Sequence, residues 1–130
     1  MARPTRPILY ISGPYSAGNG RTVAGNIAVA RAHAERAARR GWMPITPHLN
    51  TAYFEETCPS LCHDDWLDGD LTILSRLDPD VDAMLLLSGW TQSKGARLER
   101  DWAIHLGLEI IGPVASPEHI PAPGNRRRGC

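Results

Sequence analysis

The chain has 130 residues, which suffices for one domain with a hydrophobic core and is too short for two. Its 14 basic residues balance its 14 acidic ones, so no net charge attracts polymeric nucleic acid or an acidic membrane surface. It has no apolar run near the ~20 residues of a membrane span, no signal-like N-terminus, and only three cysteines. We therefore expect a cytoplasmic protein without a disulfide framework.

The first half of the chain predicts two strands and one helix. Residues 8–12 form an apolar run that stops at Gly13-Pro14, which is typical of a buried strand. A helix with a narrow alanine face is predicted over 22–40 and is ended by Gly41. Residues 42–47 predict a short strand, which its two prolines place at an end or edge of the sheet. The segment 48–61 has no clear period, so we predict a functional loop there.

The second half repeats the alternation, with a helix over 64–77, a strand over 82–88, a helix over 93–106 and a strand over 108–111. Strands that alternate with helices are typical of parallel β/α units. We predict an α/β fold of three layers, a flavodoxin- or Rossmann-like open parallel sheet of four or five strands with helices on both faces. Residues 1–113 form the predicted single domain, and residues 114–130, rich in Pro, Gly and Arg, a C-terminal tail.

The helix after the third predicted strand carries the most informative residue, Glu99. A helix that begins near Ser93 points unpaired backbone N–H groups at the adjoining crevice, which suits an anion. On a 3.6-residue period Glu99 lies about 200° from the solvated Arg97, on the side of Gly95. A carboxylate there is either an idle glutamate near the helix start, favoured by the helix dipole, or a functional group.

Ligands of an open parallel sheet bind outside the carboxyl ends of the strands, and several candidate residues fall there. The glycine-rich loop 13–22 leads into a helix, and Arg21 could pair with a phosphate; otherwise the loop is a flexible connector. It lacks the Lys-Ser/Thr of a P-loop. Tyr53 and Phe54 either stack on a base or anchor their loop. Asp70 lies either near the sheet or on the surface.

Cys58 and the Cys62-His63 pair could form half of a metal site. The sequence has no second Cys/His pair at a useful spacing, so we predict reduced thiols, no metal and no cofactor.

Several motifs together resemble the nucleoside 2-deoxyribosyltransferase superfamily over roughly residues 7–113. The motifs are Tyr10-Ile-Ser-Gly-Pro14, Gly69-Asp70-Leu71, Asp82-Ala83 and Gly89-Trp90-x-x-Ser93-x-Gly95-Ala96-x-x-Glu99. The nearest branch resembles the small, often phage- or prophage-associated proteins of the DUF4406 type, and nucleotide N-glycosidases are close relatives.

The resemblance implies a role for each matched residue. Glu99 would be the nucleophile that attacks the anomeric carbon, Tyr10 would orient it, and Asp70 would be an acid near the base. Cleavage of an N-glycosidic bond passes through an oxocarbenium-like state, which a carboxylate stabilises. Relatives of this kind complete the pocket with a neighbouring subunit, so a homodimer or higher homo-oligomer is expected.

Ser93 indicates the substrate class. Transferases of free nucleosides typically have Asp six positions before the nucleophile, whereas relatives that act on 5′-monophosphates have Ser there. This chain has Ser93 followed by Lys94, which would accept a phosphate that an Asp would repel. The predicted substrate-binding residues are Gly13, Tyr15, Ser16, Arg21, His48, Ser93, Lys94 and Gly95.

We therefore predict an N-glycosidase that hydrolyses a nucleoside 5′-monophosphate, a small-molecule partner. Two alternatives stay open at this point. One is a nucleotide-binding or sensor module without turnover, and the other is a nucleoside 2-deoxyribosyltransferase, which needs an acceptor base.

Overall fold

Four strands form a single parallel sheet in the order β2-β1-β3-β4. The structure is a computed structural model and describes residues 3–18 and 20–124. The strands are β1 (Ile8–Ser12), β2 (Met43–Ile45), β3 (Ala83–Leu87) and β4 (Glu109–Val114). The predicted α/β class and open parallel sheet are confirmed, and β2 is the short edge strand that its prolines indicated.

The helices are α1 (Val23–Arg39), α2 (Pro47–Asn50), α3 (Phe54–Thr57), α4 (His63–Ser75) and α5 (Lys94–Leu106), with 3₁₀ turns at Trp90–Gln92 and Pro117–His119. Helices α2 and α3 lie in the segment predicted as a loop. A one-turn helix is too short to show a 3.6-residue period, which explains why the pattern missed them. No helix within residues 3–18 and 20–124 is long and apolar enough to cross a membrane.

The sheet is covered on both faces. Leu9, Ile11 and Leu85 pack with the alanine face of α1 and with Trp42 in one hydrophobic cluster. Tyr10 and the alternate residues of β3 belong to a second cluster, which includes residues of α4 and α5. Because successive side chains of a strand point to opposite faces, β1, β3 and β4 each contribute to both clusters.

The C-terminal segment differs from the predicted tail. Strand β4 continues to the buried Val114, and Ile120 is only 1% exposed. The Trp42 Nε1–H donates to the Pro121 carbonyl oxygen at 2.8 Å, so this segment packs on the α1 side of the core. A segment rich in Pro and Gly can therefore still pack on the core. The Arg126 to Arg128 run lies outside the described residues.

Candidate active site

A cavity of about 970 Å³ opens at the carboxyl ends of β1, β2 and β3. It lies between the loop after β1, the α2–α3 segment, α4 and the start of α5. The convergence of three strand ends on one crevice, expected from the alternating pattern, is confirmed. The cavity is lined by predicted site residues from all these segments: Gly13, Tyr15, Ser16, Arg21, His48, Asp70, Ser93, Lys94, Gly95 and Glu99.

The Glu99 carboxylate lies in the wall of this cavity and is 6% exposed. The Tyr10 hydroxyl donates to Glu99 Oε2 at 2.7 Å, and the Ser12 hydroxyl donates to Oε1 at 2.7 Å. Tyr10 and Ser12 are two positions apart on β1 and therefore share the face that α5 covers. The expected position of Tyr10 beside Glu99 is confirmed. The sequence motif included Ser12, but only the strand alternation indicates that it reaches the same carboxylate as Tyr10.

Asp70 projects from α4 to within hydrogen-bonding reach of Glu99. Burial and the Glu99 charge raise the pKa of Asp70 to about 8. Burial also raises the pKa of Glu99, whereas the hydrogen bonds from Tyr10 and Ser12 lower it. Because two hydroxyls donate to Glu99 and favour its charged form, the pair holds its proton on Asp70 at neutral pH. Burial, followed by the charges of both carboxylates, raises the pKa of Tyr10 well above its ordinary range, so this hydroxyl remains a donor.

The opposite end of the site has the chemistry of an anion-binding site. Ser93 begins α5, and its Oγ accepts from the Ala96 N–H at 3.1 Å, which leaves the hydroxyl hydrogen for a ligand. Arg21 and Lys94 line the same cavity. Their side chains form no hydrogen bond or ion pair with any other described residue, whereas Arg31, Arg36 and Arg100 each pair with a carboxylate.

The rim of the cavity is held together by Tyr15. Its hydroxyl donates to the Glu55 carboxylate at 2.9 Å and accepts from the Tyr53 N–H at 2.8 Å, which links the loop after β1 to α3. Tyr53 is 41% exposed and has a φ of 62°, and Phe54 packs edge-on against Trp66 with the ring centroids 5.9 Å apart. Neither Tyr53 nor Phe54 is among the cavity-lining residues, so their contacts favour the loop-anchor interpretation.

His48 has a positional role beneath this rim. Its Nε2 lies 2.7 Å from the Pro14 carbonyl oxygen, and because a carbonyl only accepts, the Nε2–H donates. Burial lowers the pKa of His48 and favours the neutral ring, although the bond to Pro14 acts in the opposite direction. The bond fixes the chain just after β1, where the glycine-rich loop begins.

Asn26, His63 and Trp66 are among the cavity-lining residues that the sequence did not predict as site residues. The Asn26 side-chain amide donates to the carbonyl oxygens of Tyr15 and Ser16 at 3.0 and 3.1 Å. It thereby fixes the glycine-rich loop on α1. One signal was present, since Asn26 is a polar residue one turn before Ala30 on the buried side of that helix.

Cys58 and Cys62 are free thiols. Across residues 3–18 and 20–124, no group of three or more His, Cys, Asp or Glu residues is arranged to hold a metal ion. Cys62 instead precedes α4, where its backbone N–H donates to the Asp65 carboxylate at 2.7 Å. The motif therefore begins a helix in this structure, and this start places His63 in the cavity wall.

Residues 7–112 match the family model described as a domain of unknown function, DUF4406. The chain belongs to this family. The matched region contains every site residue discussed above and ends two residues before the end of β4. None of the curated proteins compared with the chain matches it. The link from this family to the nucleoside 2-deoxyribosyltransferases stays a prediction.

Proposed function

We propose that the protein hydrolyses the N-glycosidic bond of a nucleoside 5′-monophosphate, with Glu99 as the nucleophile. The observation that carries this proposal is the buried Glu99 carboxylate, held by two hydroxyls beside Asp70 in the wall of a cavity of about 970 Å³. Two carboxyl groups packed together out of water destabilise a fold, which is typical of a functional site.

The ionisation of the pair suits both steps of such a reaction. Glu99 attacks the anomeric carbon as the C1′–N bond breaks, and the bonding electrons leave with the base. Asp70, protonated at neutral pH, gives its proton to the departing base. This step leaves a sugar ester on Glu99 and a carboxylate on Asp70.

Hydrolysis of the ester restores the starting state. Asp70 takes a proton from water as the water oxygen attacks C1′, and the C1′–Glu99 bond breaks. The products are the free base and the sugar 5-phosphate, with Glu99 ionised and Asp70 protonated again. In this mechanism Tyr10 and Ser12 stay hydrogen-bonded to Glu99 and orient its oxygens.

The proposed site for the 5′-phosphate is the start of α5 where it meets the loop after β1. This assignment is supported by Ser93, by the first N–H groups of α5, and by Arg21 and Lys94, whose side chains have no partner among the described residues. A helix N-terminus favours an anion by about 0.3–1 kcal/mol, and a charged hydrogen bond adds about 1.5–3 kcal/mol. We therefore expect a monophosphate to bind tenfold or more tightly than its nucleoside.

Base release from a panel of ribo- and deoxyribonucleosides and their 5′-monophosphates tests the proposal directly. We expect release from at least one monophosphate without an added acceptor base. Ser93→Asp should weaken monophosphate binding by about tenfold or more and leave nucleoside binding nearly unchanged. Binding without release would favour the sensor module, and release that requires an acceptor base would favour the transferase. Equal affinity of the unmodified protein for both ligands would overturn the phosphate assignment.

We further propose that the protein is a homodimer or higher homo-oligomer. Exposed apolar side chains on α5 support this proposal, since Leu98, Trp102 and Ile104 are 39%, 37% and 49% exposed. Sedimentation of the purified protein should give at least twice the chain mass. A monomer at micromolar concentration would contradict the proposal.

A further inference from the structure

His63, the first residue of α4, lines the same cavity as Glu99 and Asp70. Its imidazole makes no hydrogen bond to any other residue of the described part of the chain. The ring therefore lines the cavity, and its nitrogen atoms bind no described residue. A side chain in this state is free to bind a ligand.

The position of His63 on α4 separates it from the base end of the site. His63 and Asp70 are seven positions apart and lie within about 20° of each other around the helix, so they share a face. At a rise of 1.5 Å per residue they are about 10 Å apart along the axis. A base that receives the Asp70 proton therefore lies two helical turns from His63.

Gly95 on α5 shows what His63 faces instead. A Cβ atom placed on Gly95 would lie 3.6 Å from His63 Cε1, 4.0 Å from His63 Nε2 and 4.0 Å from Ser93 Oγ. His63 and Ser93 thus flank the bare backbone of Gly95 at the start of α5. A ligand group that lies over Gly95 would be within reach of both side chains.

The charges near this position favour an anion over Gly95. Lys94 and Arg21, both without partners among the described side chains, line the same cavity. Burial raises the pKa of Glu99, and His63 lies close enough to Glu99 to be among the groups that lower this pKa. An imidazole N–H beside a serine hydroxyl is a second donor for a phosphate oxygen.

We propose that His63 binds the 5′-phosphate together with Ser93, over Gly95, and thereby sets the preference for phosphorylated substrates over free nucleosides. Because this assignment rests on the proposed function, its test measures binding rather than turnover. His63 is a specificity-determining residue in this assignment and takes no proton in the chemical steps.

The experiment titrates three ligands into matched variants: a nucleoside 5′-monophosphate, its nucleoside, and ribose 5-phosphate. Every protein carries Glu99→Gln so that the monophosphate is not consumed. His63→Ala should weaken binding of both phosphorylated ligands about tenfold or more, and change nucleoside binding less than twofold. His63→Gln should recover part of the loss because its amide can donate. His105→Gln is the control, since His105 lies outside the cavity and stacks on Trp102 with the centroids 5.1 Å apart.

Three outcomes overturn the assignment. If His63→Ala weakens all three ligands equally, His63 only supports the shape of the cavity. If it weakens none, the imidazole does not touch the ligand; in both cases base release by the unmodified protein still stands. If the Glu99→Gln protein with His63 intact binds monophosphate and nucleoside equally, both the phosphate assignment of the proposed function and the role of His63 are overturned.

Discussion

The two faces of β1 have different roles: one packs in the hydrophobic core, and the other contacts Glu99 in the candidate active site. Leu9 and Ile11 point to the α1 side, where they join a cluster built from leucines, isoleucines, alanines and Trp42. Tyr10 and Ser12 point to the other side, where both hydroxyls reach Glu99. Four consecutive residues of one strand thus serve two purposes by simple alternation. Substitutions on the two faces should therefore fail in different ways.

The largest effect is expected from Glu99→Gln, which removes the nucleophile and keeps the shape of the side chain. Base release should fall by at least about 10³-fold, whereas the folded protein and its affinity for the monophosphate should persist. Single-turnover base release and circular dichroism measure the two properties. Residual activity within tenfold of the unmodified protein would show that another group attacks the sugar.

Asp70→Asn should also lower base release, in this case because it removes the proton donor. An amide cannot protonate the departing base, so we expect base release to fall by about 10²- to 10⁴-fold. The unmodified enzyme should lose activity as pH rises through about 8, where Asp70 loses its proton. A pH–rate profile checks both expectations, and the residual activity of the variant should lack this alkaline decline. A decline that persists in the variant would assign it to another group.

The neighbours Leu9 and Tyr10 give the sharpest contrast between the two faces. Leu9→Ala opens a cavity in the α1 cluster and should lower the free energy of unfolding by about 2–5 kcal/mol, with turnover of the folded fraction nearly unchanged. Tyr10→Phe removes one hydrogen bond to Glu99 and should cost only about 1 kcal/mol.

Tyr10→Phe should also change the pH profile of base release. With one donor fewer, the pKa of Glu99 should rise further, so the acid limb of base release should move to higher pH in Tyr10→Phe. Denaturant titration and pH–rate profiles of both variants make the comparison. A stability loss in Tyr10→Phe as large as in Leu9→Ala would contradict the division of roles.

The last expected effect is a change in stability with pH, which is measured on the fold rather than on base release. The pKa of Asp70 is about 8 in the fold and about 3.8 in the ordinary state, so the unfolded chain ionises first. Asp70 therefore makes the unmodified protein lose stability as pH rises from about 4 through about 8, and Asp70→Asn lacks this loss but keeps that of the buried Glu99. The melting temperature of the variant minus that of the unmodified protein should grow across this range and then level off. Each kcal/mol corresponds to roughly 2–8 °C, and a constant difference would show that Asp70 does not titrate in this way.

The sequence predicted the sheet well because its strands are short apolar runs between clear turn signals. It also placed Glu99 on the buried side of α5, since a 3.6-residue period settles which face a residue occupies. The resemblance predicted Asp70 and Glu99 in one pocket, which the cavity lining confirms, but no local pattern could predict their direct interaction, because residues on two different helices meet only through tertiary packing. The pKa of about 8 for Asp70 depends on that contact and on burial, which no local pattern encodes.

His63 shows a different limit. Its neighbours Cys58 and Cys62 drew attention to metal chemistry, although the structure uses Cys62 and Asp65 to begin α4. The sequence predicted this helix from residue 64, one residue too late, so His63 was not recognised as the first residue of α4. Tyr15 was predicted at the site correctly, but its bond to Glu55 spans 40 positions and required the fold.

The segment after residue 112 has a practical consequence for anyone who expresses this protein. The region that matches the family ends there, yet the buried Val114 and Ile120 and the acceptor of the Trp42 indole follow it. A fragment trimmed to the matched boundary would remove the Pro121 carbonyl that accepts from the Trp42 indole and leave an apolar face of the α1 layer open to solvent. Such a fragment should be prone to aggregation, whereas a boundary after Gly124 keeps the layer closed.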